Sequence, residues 1–273
     1  MAESEHPIID HMAEQVHETA ERADLVNQWV MHHVTDSVYW ETPLFKLYLP
    51  DWMSNNAMML IIASFLLIVT FGLFFRYQEG KAPRGWTNAM EAMAKFVRNE
   101  ICIPYLGREH GRKMAPVFLT FFFFILTLNL MGLCPLFSTA TGNINVTMGL
   151  ASITFFFMVF GAMAVNGPIK FFKAFAPHGV PWPILVILMP IEMVGLVIKC
   201  AALTIRLFAN LLAGHIVVFS LVGLLVTFGY WALPALGMAL AINLLEVFIA
   251  FLQAYVFTVL SAMFIGETYH PSH

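Results

Sequence analysis

Arg206 carries the chemistry around which the rest of this chain must be arranged. It lies in LTIRLFANLLAGHIVVFSLVGLLV, a run otherwise apolar enough to span a bilayer. A guanidinium does not in practice lose its proton, and placing one in hydrocarbon costs about 2.5–3.5 kcal/mol on insertion scales. Such a charge is kept where a partner or a function holds it. Asn210 follows one helical turn later, then His215, and the next apolar segment carries Asn243, Glu246 and Gln253. Glu192 and Lys199 precede Arg206 at successive intervals of seven residues. That spacing drifts only about 20° per step on a 3.6-residue helix, so the three form one stripe. A permanent cation, an imidazole and a carboxylate that can exchange a proton, and several amides in an apolar setting are the materials of an ion path.

Two helices must present these groups. Segments 184–226 and 235–265 read as an antiparallel hairpin folded near residues 230–231. In that register His215 is level with Glu246 toward the outside, and Arg206 with Gln253 deeper. His215, nine positions from Arg206, falls on nearly the opposite face of its helix. Asn243, Glu246 and Gln253 share a face of theirs. Simpler roles compete with the path. Glu192 and Lys199 either form a structural ion pair near the cytoplasmic end or line the route. Asn243 either bridges the two helices or faces the ions. His215 is either a satisfied interhelical hydrogen-bonder or a relay. Pro190 suits a helical first turn. A helix from there to residue 226 would run about 55 Å, and its partner about 45 Å, against a hydrocarbon core of about 30 Å. The pair must therefore tilt steeply or break, and a steep tilt exposes a long flank to another membrane protein.

Composition sets the frame for these helices. Of 273 residues 59% are hydrophobic and 11% charged, far from the quarter charged of soluble domains. The chain is expected to be an all-α polytopic membrane protein with about five membrane-embedded helices. The expected organisation is an acidic extramembrane arm, 1–56, and a membrane domain, 57–273. The spans fall at about 57–75, 115–136 and 146–166, followed by the hairpin. Residues 86–105 are amphipathic, with Met90, Met93, Phe96, Val97 and Ile101 at helical spacing, and read as a helix lying on the membrane surface.

The net charge of −3 conceals a segregation. Ten acids and only Arg22 and Lys46 occupy residues 1–56, whereas 76–113 holds Arg76, Lys81, Arg84, Lys95, Arg98, Arg108, Arg112 and Lys113. A second basic loop, 167–180, carries Lys170 and Lys173. This is a topology signal rather than a nucleic-acid footprint. It puts the basic loops and the C-terminus in the cytoplasm, with the acidic arm and the charge-free loop STATGNIN outside. The lack of a transit peptide points to a bacterial plasma membrane. In the arm, 7–38 reads as a solvated or interfacial helix; adjacent His32 and His33 do not share a helix face and read as surface residues. Cys102, Cys134 and Cys200 lack metal or redox spacing and read as small apolar filler. No cofactor or metal site is expected, and no GxxxxGK[ST] phosphate loop occurs.

IRLFANLLAGHIV, followed about forty residues later by LLEVFIAFLQAYVFTVL, closely resembles subunit a of the F-type ATP synthase. The resemblance continues through NLMGLCP (129–135), INVT (144–147) and PIEMVGLVIKCAALTIRLFAN (190–210), and covers about 57–266 in order. It implies a membrane stator beside a rotating ring of c subunits, with b-type peripheral stalk subunits and the rest of the synthase as partners. It also implies two aqueous half-channels that load and unload ring carboxylates with protons, or with sodium ions in some members. Arg206 matches the family's essential arginine. Asn210 and Gln253 match polar positions near it. His215 and Glu246 match channel positions that in some members carry an acid and a histidine the other way round. Nucleotide chemistry would belong to partner subunits. Against this stand a secondary transporter with a midplane polar site, a lipid-acting enzyme and a purely structural subunit. The first needs two related halves, and no internal repeat is visible. The second needs a nucleophile or metal constellation, and the third leaves Arg206 unexplained.

Overall fold

In the computed structural model, 54–74, 85–134, 137–175 and 182–269 are described. Parts of the arm are described too: helical residues between 14 and 28, both strands of a short ribbon, and residue 50. The loop stretches 75–84, 135–136 and 176–181 fall outside the described residues, as do His32 and His33, whereas Lys170 and Lys173 of the second basic loop lie in a helix. The arm's described helical residues are exposed, with Arg22 paired to Glu18 at 2.6 Å. They are followed by β1, Tyr39–Glu41, antiparallel to β2, Lys46–Tyr48. Apart from this ribbon the described chain is helical, a polytopic all-α membrane protein.

Helix α1, Asn55–Val69, starts at Ser54, whose hydroxyl accepts from the amide of Ala57 at 3.3 Å. That supplies one of the four amides a helix start leaves open. The amphipathic α2, Trp86–Phe96, runs through a π-turn, Val97–Cys102, into α3, Ile103–Leu133. Gly107 interrupts this path with φ 75° and ψ 173°, a backbone that glycine adopts without steric cost. The helical path therefore changes direction here, between the expected 86–105 and 115–136. Helix α4, Ile144–Phe156, is capped by the Asn143 side chain and continues through a π-turn, Phe157–Gly161, into α5, Ala162–Asn166. The short α6, Pro168–Ala174, follows.

The hairpin is longer than expected. Helix α7 spans Trp182–Phe228 and α8 spans Leu233–Tyr269, 47 and 37 residues, hence about 70 and 55 Å. Pro190 does not open α7 but sits inside it. Pro183 occupies the first turn, where a missing amide hydrogen costs nothing. Gly229, at φ 60°, closes the turn between the two helices. The long apolar stretches are Asn55–Gly72, Thr87–Leu133, Ile144–Asn166 and Pro183–Tyr269, the last containing both arms of the hairpin.

Helix α8 is the core element. It packs on α3 through Phe121 and Phe257, edge to face at 5.8 Å, with Phe118, Ile125 and Leu128 fully buried beside them. It meets α4 through a buried hydroxyl pair, Thr154 and Ser261, at 3.0 Å. The Asn166 amide donates to the carbonyls of Thr268 and Tyr269 and so caps the last turn of α8. The outward flank of the hairpin is apolar, with Ile187, Val194, Ile198 and Ile205 exposed on α7 and Leu240, Leu244, Phe248 and Leu252 on α8.

The close approach of α8 to the surface helix yields a test. A Cβ on Gly266 would overlap the backbone carbonyl of Tyr105, whereas one on Gly237 of the same helix meets nothing within 4 Å. Backbone cannot swing aside as a side chain can, so Gly266→Ala is expected to cost about 1–3 kcal/mol. The purified assembly should melt at a lower temperature with Gly266→Ala and at an unchanged one with Gly237→Ala.

Candidate functional site

The stripe predicted on α7 starts near the helix's first turns and ends at mid-length. Glu192 is half-buried and makes no ion pair with Lys199. Lys199 reaches across to α8 instead, where Glu267 accepts its ammonium at 2.6 Å and the Phe264 ring lies 5.4 Å from the nitrogen. The reason is geometric. A seven-residue step spans about two turns, roughly 10 Å, while the antiparallel neighbour places Glu267 directly alongside. Lys199 is thus a helix-to-helix tie in this chain.

Arg206 is half-buried at the edge of the hairpin. Among the described residues no carboxylate lies within ion-pairing distance of it and no side chain accepts a hydrogen bond from it. Its neighbours one and two turns away on that side, Ala202, Ala209 and Ala213, are exposed and small. The cation therefore lies in a shallow depression of an apolar flank.

Behind this edge the polar groups come together in the register expected from the fold point. Asn210 donates its amide to Gln253 Oε1 at 3.0 Å. Gln253 is 3% exposed, and its amide nitrogen is buried without an acceptor among the described residues. A buried donor left unpaired costs about 1–3 kcal/mol, so stability does not account for an amide here. Arg206 and Gln253 are not bonded to each other, because Asn210, one turn on, meets the glutamine. Glu246 is 9% exposed and its carboxylate packs on the face of Gly214, where a Cβ would overlap it. A side chain at this position would push the carboxylate aside.

His215 and Glu246 are thus brought to one level, yet no hydrogen bond joins them. The residue after Gly214 is rotated about 100° on an α-helix, which turns the imidazole toward the loop between α3 and α4. There its Nε2 shares a hydrogen bond with Thr139 Oγ1 at 3.0 Å, and the ring stacks on Phe219 at 5.9 Å. Asn243, on the Glu246 face by spacing, is exposed and bridges no helix in this chain. The distinction between one turn of α8 and the next follows from α3, which covers Glu246 and leaves Asn243 open.

Several participants were not evident from the sequence. Asn129 on α3 is fully buried; it accepts from Thr141 Oγ1 at 3.0 Å and donates to the Ala250 carbonyl at 3.4 Å. Asn129, Asn210 and Glu246 line a small cleft with Leu133, Leu211 and Ile249. A lone asparagine in NLMGLCP and two threonines in a loop without charge were the available signals. Spacing along one helix could not reveal them, since each acts across a tertiary contact.

The segment that carries the polar cluster lies within the part of the chain matched by a known family. Residues 57–266 match the family model described as ATP synthase A chain. The chain is 40% identical to ATP synthase subunit a 2 of Prosthecochloris aestuarii (strain DSM 271 / SK 413), over all of this chain and 87% of that protein. It is 42% identical to ATP synthase subunit a of Myxococcus xanthus (strain DK1622), over 81% of this chain and 74% of that one. With ATP synthase subunit a of Chlorobium phaeobacteroides (strain BS1) the identity is 39%, over 89% and 77%. With its hairpin gathering an arginine, amides, an imidazole and a carboxylate, and with the family model matching residues 57–266 and these relatives most of its length, the chain belongs to the ATP synthase subunit a family.

Proposed function

We propose that this chain is the ion-conducting stator of a rotary ATP synthase, passing protons to and from carboxylates carried by a ring of c subunits. The observation that carries the reading is Arg206: a permanent cation on an apolar membrane flank with no carboxylate beside it among the described residues. A carboxylate moving through lipid must be neutral, protonated or paired. Opposite a guanidinium it can ionise, because a nearby positive charge favours the charged form. Exposed Ala202, Ala209 and Ala213 admit a second helix close to the cation. Arg206 thus stabilises each arriving carboxylate in its ionised form, so that the carboxyl proton leaves to the adjoining half-channel, and the fixed charge prevents ions from crossing directly from one half-channel to the other.

The outer half-channel runs past His215 and Glu246 toward Asn210 and Gln253, and Asn129 narrows it. The cytoplasmic one runs along the Glu192 side of α7, with Lys199 at its border. Asn243, exposed on α8, faces the ring or the lipid. The arm, 1–56, lies outside and the basic loops lie in the cytoplasm of a bacterial plasma membrane, with b-type stalk subunits holding the stator against rotation. A potential of ~150 mV supplies about 3.5 kcal/mol for each charge moved, so several ions must pass for each ATP made by the partner subunits.

In inverted membrane vesicles, Arg206→Ala is expected to abolish ATP-driven proton pumping while the ring and stator still purify together. Normal pumping by that variant would end this reading. The register that levels Glu246 with His215 supports a second test. Exchanging the two, as His215→Glu with Glu246→His, should retain more pumping than either His215→Ala or Glu246→Ala. An exchange as inactive as both single losses would show that they do not work as a pair.

A further inference from the structure

The loop between α3 and α4 has no charge, yet it is built into the polar cluster at two points. Thr141 holds Asn129, and Thr139 holds His215. The Thr139 methyl lies against two glycines, one on α3 and one in the loop; a Cβ on Gly132 would meet it at 3.2 Å, and one on Gly142 at 3.3 Å. The methyl is thereby seated between the two glycines, and the hydroxyl on the same Cβ is left to meet His215. Opposite it, His215 is 8% exposed and stacked on Phe219. The imidazole is held by a stacking partner on its own helix and a hydroxyl from the loop.

We infer that Thr139 is the positioning residue of the outer half-channel, fixing the His215 ring with its Nε2 toward the loop, so that protons reach Glu246 only through an imidazole of set orientation. This rests on the reading of His215 as part of the path. The hydrogen bond decides which ring nitrogen carries the proton in the neutral form, since the partner of one nitrogen sets the tautomer. A hydroxyl suits the task because it donates or accepts by rotation. It can follow the imidazole through both protonation states without moving the backbone.

The groups facing His215 are few. From α8 comes Glu246, packed against the adjacent Gly214. The covering part of α3, 114–133, and α4 carry no titratable carboxylate, histidine or basic residue, and neither does the turn Ala140–Gly142. On α7 itself the nearest charge is Arg206, nine residues back. A change in the pH response caused by Thr139 therefore has His215 and Glu246 as its targets.

The test uses the complete synthase in proteoliposomes, with the external loop facing the lumen. Initial ATP synthesis rates are measured while lumenal pH is varied at fixed outer pH and fixed potential. Thr139→Val keeps the shape and removes the hydroxyl; Thr139→Ser keeps the hydroxyl. Thr139→Val is expected to move the lumenal pH of half-maximal rate by about half a unit or more, the size that one hydrogen bond carries. Thr139→Ser should retain the wild-type midpoint. A downward shift shows that the hydroxyl accepts from the charged ring, an upward one that it donates to the neutral ring, and either supports the assignment.

A lowered maximal rate with an unmoved midpoint would make Thr139 merely structural and overturn the assignment. So would Thr139→Ser behaving as Thr139→Val, or Thr139→Val behaving as wild type. His215→Gln separates this from the parent reading. If His215→Gln alters the profile and Thr139→Val does not, only the role of Thr139 fails. If His215→Gln leaves the profile unchanged, His215 is not on the path and both fail.

Discussion

A single uncompensated charge organises this molecule. The guanidinium of Arg206 cannot be neutralised by losing its proton, and among the described residues no acid stands beside it. Everything around it limits what that charge can meet. The alanines on its outer side keep the flank open. The amides of Asn210 and Gln253 bond each other rather than the arginine. The buried acid among the described residues, Glu246, is parked against Gly214 about two turns away. Had Glu246 paired with Arg206, the two charges would have cancelled, and the proposed role of attracting a carboxylate from another subunit would have no cation to perform it.

The polar groups behind the arginine are arranged by depth, and depth is set by the hairpin. The turn at Gly229 fixes where α7 and α8 reverse, and the contacts Asn210–Gln253 and Gly214–Glu246 show the resulting register. Helix α3 and the loop after it then close the third side through Asn129, Thr141 and Thr139. In a low-dielectric setting such hydrogen bonds are stronger than in water and also more costly to leave incomplete. The unpaired amide of Gln253 is the exception within the cluster, and it lies on the side of α8 nearest Asn210 and the arginine's helix.

Much of this was legible in the amino-acid order because membranes impose simple rules. Runs of apolar residues gave the spans, and the basic loops gave an orientation. A lone arginine in such a run marked the site. The equal distances of His215 and Glu246 from residues 230–231 placed them at one level, which the Gly214 contact bears out. What was hidden depends on contacts between distant segments. The sequence could not show that Lys199 would choose Glu267 over Glu192, since a seven-residue step looks favourable on paper but spans two turns. Nor could it show that His215 would turn to Thr139 while its neighbour Gly214 received Glu246. Pro190 looked like a helix start because proline often is one; here α7 begins eight residues earlier, at Trp182, and carries the proline inside. The ribbon Tyr39–Glu41 and Lys46–Tyr48 went unread because two three-residue strands are too short for a periodic signal.

The tie between Lys199 and Glu267 has a mechanical meaning. The hairpin is closed at one end by covalent chain at Gly229 and near the other by an ammonium held between a carboxylate and the Phe264 ring. Helix α8 is thus held to α7 at both of its own ends, and rods tied at two points behave as a truss rather than as tweezers. If the proposed turning neighbour loads this frame sideways, the load is carried as shear between the two ties, not as splaying of α8 away from α7.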